Sequence, residues 1–144
     1  MKKIMMMAVL AAVATTAFAQ EALVKEAKKL SDKGEYAQAI STVTPALSNG
    51  TAEEKAAAYN LLSEVHYQIF MKNQQIMVEN QVKKTAVPYD TAAMNRAIVA
   101  SLEAALKCDE FDRQPNEKGK VKLRFRDANG KRFQALRPNV INSG

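Results

Sequence analysis

Residues 21–47 read EALVKEAKKLSDKGEYAQAISTVTPAL, and the fold is decided in this stretch. Leu23, Ala27 and Leu30 recur at i, i+4 and i+7. Tyr36, Ala39, Ile40, Val43, Ala46 and Leu47 repeat the same helical period after a break. The break is Lys33-Gly34-Glu35, where glycine takes a positive φ without a Cβ penalty and ends a helix. Two amphipathic helices joined by so short a turn pack antiparallel. Pro45 removes the bond to the Ser41 carbonyl, which predicts a kink or fray near the end of the second helix.

Toward the C-terminus, Asn49-Gly50 closes this hairpin and Thr51-Ala52-Glu53-Glu54 opens the next helix with a capping box. That helix runs through Ala58, Leu62, Val65 and Ile69, with an extension to about Val82. A loop over Lys83–Tyr89 follows. Asp90 or Thr91 then caps a fourth helix with Met94, Ile98, Leu102, Ala105 and Leu106 on one face. Cys108 to Gly119 reads as loop. The last segment is ambiguous. Lys120–Arg126 alternates with period two and Asn129-Gly130 signals a hairpin turn, yet Phe125, Ala128, Phe133, Leu136 and Val140 also share a helical face. Pro138 is placed as the first residue of a further helix.

Toward the N-terminus, residues 1–19 have the three parts of a signal peptide. Lys2 and Lys3 precede the apolar run Ile4–Ala14, and Ala17-Phe18-Ala19 supplies a cleavage site before Gln20. Such a run is too short to span a bilayer. The expectation is a soluble protein exported to the periplasm or secreted, with no transmembrane segment after cleavage. One domain fills the remaining length. The lone Cys108 cannot form an internal disulfide and reads as a small buried hydrophobe.

Ala27, Leu30, Gly34-Glu35-Tyr36, Ala39-Ile40, Val43 and Ala46-Leu47 resemble a tetratricopeptide repeat. Leu23 stands where the repeat favours Trp, and Glu26 occupies a usually apolar position. A stretched second copy is visible, from Tyr59, Leu62 and Ser63 to Ala105-Leu106 and Asp109. Residues 90–112 and 116–144 resemble exported tetratricopeptide-like proteins of Gram-negative gut bacteria, in which this region is helical, and this favours helix near 125–136. The resemblance implies an all-α solenoid of antiparallel helix hairpins over 20–144, with pairs at 20–48 and 51–109. Three or more repeats usually share a core. The chain is therefore expected to be part of a longer array, or to have its open end closed by a partner. The resemblance also implies a concave groove lined by Val24, Lys28 and Asp32 from the first pair and Asn60, Glu64 and Tyr67 from the second. The groove lacks the carboxylate-clamp pattern of Lys and Asn.

Charge is unevenly placed. Residues 118–137 hold Lys118, Lys120, Lys122, Arg124, Arg126, Lys131, Arg132 and Arg137 against Asp127 alone. Such density suits a polyanion. Export favours an acidic glycan or an anionic envelope surface over nucleic acid. The alternative is a solvated face, or a surface that meets an acidic patch on another repeat. Catalytic patterns are sparse: His66 is the only histidine, and there is no phosphate loop, Gly-rich fingerprint or nucleophile elbow. Asp109, Glu110 and Asp112 leave a carboxylate-dependent hydrolase as the least favoured reading. The sequence points to a non-catalytic binding scaffold with no cofactor or metal and an unidentified protein partner.

Overall fold

Gly34 sits at φ 81° in a computed structural model that describes residues 16–116 and 118–143, and the side chains of 19–116 and 118–139. It ends helix α1 (Thr16–Asp32) in a Schellman turn, with Glu35 N–H on the Leu30 carbonyl and Gly34 N–H on the Ser31 carbonyl, both at 2.9 Å. Helix α2 (Tyr36–Val43) follows at once. At Pro45 the α-helix gives way to a single 3-10 turn, Thr44–Leu47, as the missing N–H requires. The expected leader falls mostly on residues outside those described. α1 begins at Thr16 and so runs through the expected cleavage site.

Gly50 takes φ 95°, and a Cβ there would meet the Glu54 carboxylate and Gln20 at 3.1–3.2 Å. The chain thereby turns into α3 (Ala52–Lys83), whose capping box is complete: the Glu54 N–H reaches the Thr51 hydroxyl and the Thr51 N–H reaches Glu54 Oε1. α3 is 32 residues long and includes the expected extension. It ends on Lys84, which takes the left-handed conformation at φ 54°. Asn80 then holds the tip. Its amide donates to the Val87 carbonyl, and its Oδ1 accepts from Val87 N–H and Thr85 Oγ1.

Asp90 caps α4 (Thr91–Asp112) through the Ala93 N–H at 2.9 Å. This helix continues five residues, Cys108 to Asp112, into the stretch read as loop. Its buried stripe also differs from the expected one. Met94, Ile98 and Ala105 are buried, but Leu106 is 59% exposed, and the stripe runs instead through Ala97, Ser101, Ala104 and Cys108. Small residues win because α4 lies directly on α3. Ser63 and Ser101 each donate a hydroxyl to the other's backbone carbonyl, at 2.8 and 2.9 Å, which only a close helix crossing allows.

α5 (Arg126–Ser143) replaces the possible hairpin. No strand occurs among the described residues. Asn129-Gly130 lies inside the helix: Asn129 and Leu136 are buried and Phe133 half-buried, so packing outweighs turn propensity. Pro138 is a correction, since it sits within α5 rather than opening a new helix. Ring closure there leaves the Gln134 carbonyl without its usual N–H partner.

Two cores result. The first joins α1, α2 and α3 through Ala27, Ala39, Val43, Ala46, Ala58, Leu61 and Val65. The second joins α3, α4 and α5 through Phe70, Met94, Ala97, Ile98 and Leu136. Full burial of Leu136 contributes about 2–3 kcal/mol, which anchors α5 to the α3–α4 pair. Among the described residues, no helix is long and apolar enough to cross a membrane.

Candidate functional site

The expected groove residues divide by environment. Lys28 and Asp32 stand one turn apart on α1 and pair with each other at 3.3 Å, both largely exposed. Glu64 faces them from α3. With Ser31, Tyr36, Leu61 and Gln68 they border a polar cavity of about 240 Å³. Val24 packs against the first core. Tyr67 packs against the second core and borders a separate recess with Tyr36. Asn60 turns toward α5.

Arg132 explains that turn. Its side chain is 6% exposed, although the sequence places it in a polyanion patch. Nη1 donates to Glu64 Oε2 at 3.1 Å, and Nη2 donates to Asn60 Oδ1 at 2.6 Å and to Asn129 Oδ1 at 2.7 Å. The planar guanidinium fork holds these three acceptors at fixed angles, which the compact ammonium of a lysine does not do. Gln68 completes the set by donating to Glu64 Oε1 at 2.9 Å. The basic segment and the groove therefore meet in one network, with Glu64 between the cations of α1 and α5.

The other basic residues behave differently. Lys118, Lys120, Lys122, Arg126, Lys131 and Arg137 are exposed. Arg124 is exposed too, but its guanidinium lies 4.8 Å from the Phe125 ring centre and donates to the Glu53 carbonyl at 2.7 Å. Lys118 and Lys122 border a recess of about 480 Å³ with Thr51, Ala52, Glu53, Pro115 and Asn116. Asn116 shapes that loop by accepting from the Lys118 and Lys120 N–H groups.

Each carboxylate of the acidic cluster has its own engagement. Asp109 pairs with Arg113 at 2.8 Å and Glu110 with Lys107 at 3.3 Å. Asp112 is buried and accepts from the Arg124 and Phe125 N–H groups, fixing the chain just before α5. Among the described residues, no group of three or more His, Cys, Asp or Glu is placed to share a metal ion.

His66 borders a groove of about 450 Å³ between α3 and α4, with Tyr59, Leu62, Ala100, Ala104 and Leu106. Burial holds its imidazole below the ordinary 6.5. Cys108 is fully buried, and desolvation pushes its thiol up to about 11, against a smaller opposing effect of the Asn129 amide.

Sequence reasoning missed Asn129, which a turn signal disguised, and the serine pair, which no periodicity marks as core. No family model, curated protein or solved structure matches the chain.

Proposed function

We propose that the chain is an exported, tetratricopeptide-like scaffold, non-catalytic, that binds a protein partner in the bacterial envelope. One observation carries this reading: Lys28 and Asp32 of α1 and Glu64 of α3 border a single polar cavity, and Arg132 of α5 reaches the same Glu64. In a helix-hairpin solenoid α1, α3 and α5 are the first helices of successive pairs, so their side chains share the inner face. Mixed charge at fixed spacing suits recognition of a polar peptide segment more than an apolar ligand. Fold resemblance by itself supplies no function, so the site must be tested directly.

The test compares variants in capture from envelope extracts. A Lys28→Ala/Asp32→Ala pair, which leaves the Arg132 network intact, is expected to lose the captured partner. A Lys118→Gln/Lys120→Gln/Lys122→Gln triple is expected to retain it. Equal capture by all variants overturns the groove reading.

A second reading is favoured by the recess beside Lys118 and Lys122: a small module for an acidic glycan or anionic envelope surface. It requires salt-sensitive retention on heparin that the triple variant abolishes. Retention that is unchanged in the triple removes it.

A further inference from the structure

α3 outlasts the elements that cover it. α1 and α2 pack on its first half, through Ala58, Leu61 and Val65, and α4 lines another face. On the outer half, Met71, Val78 and Val82 form an apolar stripe at i, i+7 and i+11, exposed by 38%, 47% and 76%. The stripe adjoins a recess of about 590 Å³ bordered by Tyr36 and Tyr67. Lys72 and Glu79 flank it on the same side, two turns apart. Lys72 lies 5.7 Å from the Tyr36 ring centre, and Glu79 accepts from the Gln75 amide at 2.8 Å while Lys83 stands 3.8 Å from its other oxygen, which leaves the carboxylate side chain half-exposed.

We propose that two copies of this chain dock antiparallel along the outer half of α3, with Lys72 of each facing Glu79 of the other. The charge pattern selects this occupant. A helix with Lys and Glu seven residues apart on one flank meets its own complement only when reversed; in a parallel two-fold pair the two flanks lie on opposite sides of the seam and the charges do not meet. A two-fold axis between Gln75 and Ile76 satisfies both pairs at once, as an isologous interface demands. In that register Val82 of the second copy comes to the end of the recess bordered by Tyr36, Tyr67 and Gln68. Gln75 lies close to the axis, a polar position that fixes register at some cost in affinity.

This face adjoins the Lys28–Asp32 cavity at Tyr36 and Gln68, but the variants that test the two share no residue, so either proposal can fail alone. The contact covers about three helical turns, less than a standard stable interface, so the expected dimer is weak, with a dissociation constant on the order of 10–100 µM. Sedimentation equilibrium of the full chain at about 1–300 µM brackets that range. The wild type is expected to approach twice the monomer mass. Lys72→Glu and Glu79→Lys should each weaken association about tenfold or more, since each places two like-charge pairs in the interface. The double variant Lys72→Glu/Glu79→Lys should return to within about threefold of wild type, because reversal preserves complementarity. Both substituted side chains reach solvent, and equal helical circular dichroism of the three variants verifies folding. A wild type monomeric throughout the range means that the stripe serves a different helix, and overturns self-docking. Single reversals without effect, or a double variant as weak as the singles, overturn the register.

Discussion

Arg132 of α5 lies 3.1 Å from the Glu64 carboxylate of α3, and this ion pair crosses 68 residues of sequence. The cation is 6% exposed while the anion is 40% exposed. The two ends therefore respond differently to mutation. Arg132→Met keeps much of the buried volume but leaves Asn60, Asn129 and Glu64 without their shared donor. Because Glu64 is able to rehydrate, the expected loss is about 1–3 kcal/mol rather than the full penalty of a stranded buried charge. Glu64→Gln retains an acceptor and should cost about half as much. Urea unfolding with unchanged m-value measures both, and equal stability of Arg132→Met and wild type would contradict the network's role.

Asp112 controls the loop that carries the lysines. Its carboxylate accepts from two consecutive backbone N–H groups, at 3.1 Å from Arg124 and 2.9 Å from Phe125. Removing it strands both donors at the start of α5. Asp112→Ala is expected to cost about 2 kcal/mol and to raise trypsin cleavage between Lys118 and Arg126 several-fold. Asp112→Asn, with one remaining carbonyl oxygen, should fall between. Mass spectrometry of limited digests reads this directly.

The two hairpin joints were legible in the sequence because each rests on local chemistry. Gly34 needs its own positive φ, and the capping box needs only Thr51 and Glu54. The end of α4 and the start of α5 were not legible for the opposite reason. Cys108 to Asp112 is polar by composition, yet its buried members, Cys108 and Asp112, face α5, which lies beyond the intervening loop. Asn129-Gly130 is a turn in isolation and a helix once Arg132 and Leu136 find α3. Of the candidate groove, Lys28, Asp32 and Glu64 border one polar cavity, while Val24, Asn60 and Tyr67 turn elsewhere. Arg132 reaches the same Glu64 from a segment read as a polyanion patch, because charge density says nothing about which cation turns inward.

The Cys108 thiol should be chemically quiet in the folded protein. Burial moves it from an ordinary 9.0 to about 11, so its thiolate fraction at pH 8 falls about 100-fold before steric shielding is counted. Iodoacetamide is expected to label it only as fast as the protein opens, with full labelling in urea. Rapid labelling under native conditions would show that the α4–α5 contact is loose.

His66 should make stability depend on pH in a defined window. Burial lowers its folded-state pKa below 6.5, whereas the unfolded chain titrates at 6.5. Above 6.5 both states are neutral and the contribution is fully present. As pH falls through 6.5, the unfolded state takes up a proton that the folded state refuses, and stability drops. The loss levels off once the folded imidazole is protonated as well, at about 1.4 kcal/mol for each unit separating the two values. Carboxylates titrate lower, so unfolding free energies between about pH 7.5 and 5.5 isolate the histidine. His66→Gln should flatten that slope while leaving stability at pH 7.5 within about 1 kcal/mol of wild type. The same slope in His66→Gln as in wild type would mean that the imidazole reaches solvent through the α3–α4 groove and is not desolvated by it.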